Sequence, residues 1–84
     1  IRVNSISPGS IRTPLLEYGA GQLATGGKTE DDMIADYGKS HPVGRVGTTE
    51  ETGSLIAYLC SDAAGFISGT DLRIDGGLTA QLGV

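Results

Sequence analysis

Few side chains in this chain have the types and spacing that catalysis or metal binding requires. Cys60 is the single cysteine and His41 the single histidine among 84 residues. The chain alone therefore predicts neither an internal disulfide nor a structural zinc site, and we assign no metal ligands. His41 precedes a proline at a predicted helix end, which favours a surface or capping role over catalysis. We interpret Cys60 as a small core residue.

A turn follows the first apolar segment. Residues 1–7 (IRVNSIS) are rich in β-branched side chains, predict a strand, and end at Pro8-Gly9. The next residues, 10–14 (SIRTP), predict an extended loop, because Thr13 precedes a proline and so avoids helical angles. Taken alone, Pro8-Gly9 indicates only a turn.

Two weakly helical segments come next. Residues 15–28 combine Leu15, Leu16 and Tyr18 with several glycines, which predicts a mobile segment or a broken helix. Residues 29–40 predict a short helix that ends before His41-Pro42. Its signals are Thr29 as N-cap with Asp32 three residues later, and an apolar face of Met33, Ile34 and Tyr37.

The strongest helix signal is at 49–61. Thr48 and Glu51 form a capping box before it, and Gly53 lies inside it. Residues 70–74 (TDLRI) predict a second strand, which Asp75 and two glycines close as a turn. The expected buried stripe of the helix consists of Thr52, Leu55, Ile56, Leu59 and Ala63.

The order strand, helices, strand predicts a βαβ unit with parallel strands, and therefore an α/β fold. A parallel sheet needs helices on both faces, so we expect further elements from elsewhere in the polypeptide or from a partner. The start within an apparent strand and the 14 glycines with only 38% hydrophobic residues also favour an incomplete domain.

Composition excludes several classes of function. The formal net charge is −4, which gives no basic surface for nucleic acid or for an anionic membrane. No apolar run approaches the roughly 20 residues of a membrane span, and no signal peptide is recognisable. We expect a reducing, cytoplasmic setting, in keeping with a single cysteine.

Five short motifs lie in order between residues 4 and 77. They are NSISPGSIRTP at 4–14, HPVGRVG at 41–47, LCSD at 59–62, FISG at 66–69 and IDGG at 74–77. Each motif alone is weak, but their order and spacing are specific, and together they resemble the last third of short-chain dehydrogenases/reductases.

The resemblance implies the C-terminal portion of a Rossmann-type, doubly wound parallel sheet, formed by residues 1–84. It implies NAD or NADP as cofactor and a small carbonyl or alcohol substrate. Residues 15–40 would be the substrate lid. The 49–61 helix and the 70–74 strand would form a contact in a homotetramer.

The resemblance also implies roles for individual residues. Gly9 would let the backbone approach the nicotinamide ring, the backbone of Ile11 would pair with the carboxamide, and the Thr13 hydroxyl would bind the carboxamide or a phosphate oxygen. An apolar substrate pocket would have Leu15, Leu16 and Tyr18 in its wall, although Tyr18 could equally lie on the surface. The implied cofactor-binding residues are Pro8, Gly9, Ser10, Ile11, Thr13 and Leu15, and the implied substrate residues are Leu16 and Tyr18.

The catalytic residues of the family are missing. Its acid is a tyrosine followed four residues later by a lysine, which lowers the phenol pKa. Here Tyr18, Tyr37 and Tyr58 have glutamine, histidine and aspartate at that offset. The phosphate-binding glycine turn is absent too, because the nearest match, at 65–71, leads into a strand. Thr49, Thr52 and Gly53 replace the proline, apolar residue and alanine usual in the family.

We therefore expect an oxidoreductase section without activity of its own, assign no catalytic residue, and leave NAD and NADP open. Arg45 would bond carbonyls or a subunit partner. One alternative is a non-catalytic module that docks on full-length subunits through 49–61 and 70–74. Another is a piece of an intact enzyme, which an upstream Tyr-x-x-x-Lys would establish.

Overall fold

A computed structural model describes residues 1–81. The sequence is mildly apolar over 78–84, and the end of this segment, 82–84, lies outside the described residues. Two short parallel strands flank three helices, with a 3₁₀ turn before and after the second strand. The elements are β1 Ser5–Pro8, α1 Pro14–Leu23, α2 Glu30–Lys39, α3 Thr49–Leu59, the 3₁₀ turn Asp62–Ala64, β2 Asp71–Ile74 and the 3₁₀ turn Leu78–Ala80.

The two strands pair in parallel, as the βαβ order predicts. Ser5 lies opposite Asp71 and Pro8 opposite Ile74. On one face of the pair, the hydroxyls of Ser5 and Ser7 each donate to the Asp71 carboxylate over 2.7 Å. These bonds lower the pKa of Asp71 below its usual range, the Ser5 bond contributing most. β1 is shorter than the predicted 1–7, although the Gly69 N–H donates to the Val3 carbonyl just before it.

The helix starts follow from local capping. Both predicted capping boxes are present: the Thr29 hydroxyl accepts from the Asp32 amide, and the Thr48 hydroxyl accepts from the Glu51 amide. The prediction for 15–28 was wrong for its first part. Residues 14–23 form one regular helix, because Thr13 caps its N-terminus and Pro14 occupies the first turn, where a missing N–H costs nothing.

Very little of the chain is buried. Ala20, Ile34 and Ala64 are the buried hydrophobic residues within 1–81, and His41 is the buried polar one. Of the two roles predicted for His41, the surface role is wrong, because the turn after β1 packs over its ring. The capping role is supported, because Nδ1 of His41 lies 3.0 Å from the Tyr37 carbonyl oxygen near the end of α2. Ala20 and Ile34 lie on α1 and α2, which pack against each other.

The predicted buried stripe of α3 was also wrong. No residue of α3 is buried, Ile56 is 46% exposed, and Ala63 after the helix is exposed, while its neighbour Ala64 is buried. Within the described residues, α3 packs mainly against the turn that follows it, and Thr52, Leu55 and Leu59 are only half-buried. Cys60 is exposed rather than part of a core, because it lies just past the helix end beside an open groove.

Candidate functional site

The turn after β1 is anchored to β2. The Gly9 N–H donates to the Ile74 carbonyl over 3.0 Å, extending the strand pairing by one residue. A Cβ on Gly9 would lie 2.9 Å from the Cβ of Asp75 and 3.1 Å from Nε2 of His41. Position 9 therefore requires glycine for close packing within the chain itself.

Ile11 is bridged to Gly47 of the link between α2 and α3. The Gly47 N–H donates to the Ser10 carbonyl, and the Arg12 N–H donates to the Gly47 carbonyl, both over 2.9 Å. In this parallel pairing the N–H and C=O of Ile11 lie on the side away from Gly47. Neither group has a hydrogen-bond partner within residues 1–81. One donor and one acceptor are thus presented side by side, as a carboxamide requires.

Thr13 connects this turn to α1. Its hydroxyl oxygen accepts a hydrogen bond from the Leu16 N–H over 3.2 Å, which caps the helix. A hydroxyl also carries one hydrogen, so the cap leaves Thr13 a donor for a second partner.

Most of the predicted site residues line one open groove between this turn, α1 and α2. The groove has a volume of about 400 Å³ and a mainly apolar wall. Of the predicted residues it contains Gly9, Ser10, Ile11, Thr13, Leu15 and Leu16, and we call it the lid groove. Its size is within the range of small-molecule sites.

Two predicted residues lie elsewhere. Pro8 faces a separate groove, together with Thr52 and Ile56 of α3. Tyr18 is 67% exposed and is not among the residues that line the lid groove. Tyr37, which the sequence placed on the apolar face of α2, lines the groove instead, because α2 packs beside α1 at this point.

Sequence reasoning missed the position of His41, which is 3% exposed and lies under the turn. Its Nδ1 is 3.0 Å from the Tyr37 carbonyl oxygen, and its Nε2 is 3.4 Å from the Ser10 amide nitrogen. Because a carbonyl accepts and an amide donates, these contacts assign the ring hydrogen to Nδ1. A histidine followed by a proline gives no signal for such long-range contacts.

Charged groups hold the surroundings of the turn in place. The Arg12 guanidinium lies 2.7 Å from the Asp31 carboxylate in the first turn of α2, and this hydrogen bond raises the pKa of Arg12. Asp75 accepts from the Thr79 hydroxyl over 2.6 Å and from the Gly77 and Thr79 amides. These bonds, the Thr79 hydroxyl foremost, lower the pKa of Asp75 and confirm it as a turn former.

Arg45 forms a two-point ion pair with Glu51. Nη1 and Nη2 of Arg45 lie 2.7 and 2.9 Å from the two Glu51 carboxylate oxygens, and Nη1 also donates to the Val46 carbonyl. The Arg45 bonds, followed by the Thr48 amide, lower the pKa of Glu51 from 4.5 to about 2. The expectation that Arg45 bonds a carbonyl is thereby confirmed.

The described part of the chain contains neither a metal-binding cluster nor a membrane-spanning helix. Residues 1–81 contain no group of three or more His, Cys, Asp or Glu side chains placed to hold a metal ion. No helix in the same range is long and apolar enough to span a bilayer.

Comparison with known proteins agrees with this fold. A family model described as enoyl-(acyl carrier protein) reductase matches residues 1–79. Aldohexose dehydrogenase from Thermoplasma acidophilum, in its ligand-free form, superposes with a TM-score of 0.88 at 34% identity, over 99% of this chain and 33% of that one. L-sorbose reductase from Gluconobacter frateurii, solved with NADPH and L-sorbose, gives 0.89 at 31% identity, over 98% and 32%.

Named relatives show the same partial coverage. Cyclohexanol dehydrogenase from Acinetobacter sp. (strain SE19) is 38% identical over 82 residues, which are 96% of this chain and 27% of that protein. Cis-4-hydroxycyclohexanecarboxylate dehydrogenase from Sinomonas cyclohexanicum is 42% identical over 80 residues, covering 95% and 28%. The chain thus spans less than a third of the length of these relatives.

Parallel strands with intervening helices and a glycine turn at the carboxyl end of β1 define an α/β protein of the Rossmann type, as predicted. The chain belongs to the short-chain dehydrogenase/reductase family.

Proposed function

We propose that this chain is the C-terminal section of an NAD(P)-dependent oxidoreductase and that it holds the nicotinamide end of the cofactor. The observation that carries the proposal is the pair of unpartnered backbone groups on Ile11, at the carboxyl end of β1. Open α/β sheets bind ligands at that end of their strands. The bound nicotinamide would supply the site that gives or accepts a hydride.

The residues of the lid groove fit such a ring. The Ile11 N–H and C=O would fix the carboxamide, and the Thr13 hydroxyl would donate a third bond to the same group or to a phosphate oxygen. These contacts would orient one face of the ring toward the substrate, which is a positioning contribution to catalysis. Gly9, Ser10 and Leu15 would border the ring, with Pro8 behind the turn.

Residues 15–40, which include α1 and α2, would serve as the substrate lid. Leu16 is in the apolar wall of the lid groove, which supports a small carbonyl or alcohol substrate with an apolar part. Tyr18 would reach such a substrate only if it turned inward from its exposed position. Nothing in the groove distinguishes NAD from NADP.

The chemistry itself would come from residues outside this chain. None of its tyrosines has a lysine four positions later, so we expect the 84 residues alone to have no dehydrogenase activity. We also propose that the protein is located in the cytoplasm.

Assembly into a homotetramer through α3 and β2 is part of the same proposal. Exposed apolar side chains on and just after α3 support it, namely Ile56, Tyr58 and Phe66, the last of which is fully exposed. The same surface also supports the second candidate, a module that docks on full-length subunits without catalysis. Dinucleotide binding distinguishes the two, since the module would need none.

The test uses the native protein that carries residues 1–84, titrated with NADH and with NADPH by fluorescence. Ile11→Pro removes the N–H that has no partner in the fold, together with the isoleucine side chain and some freedom of the backbone at residues 10 and 11. Ile11→Ala is the control that loses the same side chain and keeps this N–H. We expect Ile11→Pro to raise the dissociation constant about tenfold over Ile11→Ala, as for one lost hydrogen bond. Equal affinities for the two variants, or no binding by the wild-type protein, would overturn the proposal.

A further inference from the structure

Resting on that proposed function, we propose that the buried His41 is a positioning residue, which couples α2 of the lid to the turn that holds the nicotinamide. Its ring touches both elements at once. The Tyr37 carbonyl, near the end of α2, accepts from Nδ1, and the Ser10 amide donates to Nε2.

The Ser10 amide has no other acceptor within residues 1–81, and the residue is partly buried. Leaving an amide without an acceptor in such a place is unfavourable, so loss of this bond favours a backbone conformation in which the amide has another partner. The carbonyl of Ser10 is already bound to the Gly47 N–H, so His41 and Gly47 together fix both sides of this residue. Ile11 comes next, and the direction of its N–H and C=O depends on that fixation.

A second contact joins α2 to the link that precedes α3. Gly38, near the end of α2, packs so closely on Arg45 that a Cβ at position 38 would lie 2.8 Å from the Arg45 Cα. Arg45 belongs to the link whose Gly47 bridges Ile11. The His41 ring also lies close against the turn, because a Cβ on Gly9 would come within 3.1 Å of its Nε2. A displacement of α2 would therefore move the His41 ring and the Ser10 amide together.

Two conservative substitutions separate the two contacts of the ring. In His41→Gln, the amide oxygen can take the place of Nε2 and accept from the Ser10 N–H. In His41→Asn, the shorter amide can replace only Nδ1 and donate to the Tyr37 carbonyl. Both side chains are polar and no larger than histidine. Any effect that comes only from losing the imidazole ring is therefore common to both variants.

The experiment compares the NAD(P)H dissociation constants of these variants in the native protein, with Asp62→Asn in the exposed 3₁₀ turn after α3 as control. We expect His41→Asn to weaken binding about fivefold to tenfold, and His41→Gln to restore most of that loss. Equal effects of the two variants, or no effect of either, would overturn the coupling. Failure of the wild-type protein to bind dinucleotide would instead overturn the proposed function.

The wild-type protein gives a second test that needs no variant. We expect the ¹⁵N spectrum of the His41 ring to show the hydrogen on Nδ1 and none on Nε2. A hydrogen on Nε2 would remove the acceptor for Ser10, and the proposal would fail even if the variants were misfolded.

Discussion

Gly9 is the residue whose small size matters most for the turn. A Cβ there would lie 2.9 and 3.0 Å from Cβ and Cα of Asp75, and the latter is a backbone atom that cannot easily move. We expect Gly9→Ala to lower the free energy of unfolding of the native protein by about 1–3 kcal/mol, as for other overpacked positions. Urea denaturation measures this change.

Gly19 provides the matched control. It lies inside α1, and nothing is within 4 Å of its Cβ position. Gly19→Ala should therefore raise the stability by about 0.5–1 kcal/mol through helix propensity alone. If both substitutions changed stability in the same direction, the close packing of Gly9 on Asp75 would be wrong.

Glu51 carries a testable pH dependence. Its pKa in the folded chain is about 2 instead of 4.5, chiefly because of the Arg45 bonds. A lowered pKa stabilises the fold fully above the ordinary value, and this stabilisation is lost as the pH falls from 4.5 toward about 2. We expect a carboxyl ¹³C titration of Glu51 to have its midpoint near the lower value.

Arg45→Met should shift the midpoint of the Glu51 titration upward, toward 4.5, while Arg73→Met, at an exposed position that does not contribute to the pKa of Glu51, should leave it in place. A wild-type midpoint near 4.5 would show that the two-point pair does not persist in solution.

Where the motif was local, most of the predicted site residues lie together in the structure, and their binding roles stay predictions. The sequence placed Gly9, Ser10, Ile11, Thr13, Leu15 and Leu16 in one site, and they line one groove. It could not place His41 or Asp75 against Gly9, because those contacts join residues more than 30 positions apart. No local pattern encodes them.

The N-terminus of α3 depends on the side chain of Thr48, which accepts from the Glu51 amide. Thr48→Ala should cost about 1 kcal/mol of stability. Thr49→Pro should instead stabilise by about 0.4–1 kcal/mol, because it occupies the first helical position and the backbone of Thr48, at φ −110° and ψ 158°, is compatible with a following proline.

Thermal unfolding of the two variants gives the comparison. Opposite shifts of Tm relative to the wild-type protein are expected. A loss of stability in Thr49→Pro would mean that the first turn of α3 is not helical in solution.

Helices that begin with a full capping box were the ones that could be predicted. Capping boxes located the starts of α2 and α3, because they act within three residues. The sequence did not predict α1 as a regular helix, because its glycines were given more weight than Thr13-Pro14. Thr13 caps the helix, and Pro14 is its first residue. The apolar residues of α3 do recur at helical spacing. Their burial, however, needs a covering element that residues 1–81 do not supply.

Residues 1–81 bury few apolar side chains, so we expect the chain not to be stable alone. Within residues 1–81 the buried hydrophobic side chains are Ala20, Ile34 and Ala64. The radius of gyration is 15.4 Å, against about 12 Å for a compact domain of this length. We expect the isolated 84-residue chain to show no cooperative thermal transition by circular dichroism, and a sharp one would favour the interaction module.

The central claim is that these residues are one section of a larger oxidoreductase. The most direct test is the intact mass, under denaturing conditions, of the polypeptide that carries this sequence in its natural source. We expect a mass about three to four times 8.6 kDa, because the chain matches 27% and 33% of a dehydrogenase relative and a superposed structure. A mass of 8.6 kDa without a companion chain would contradict the claim, and with it any part in catalysis.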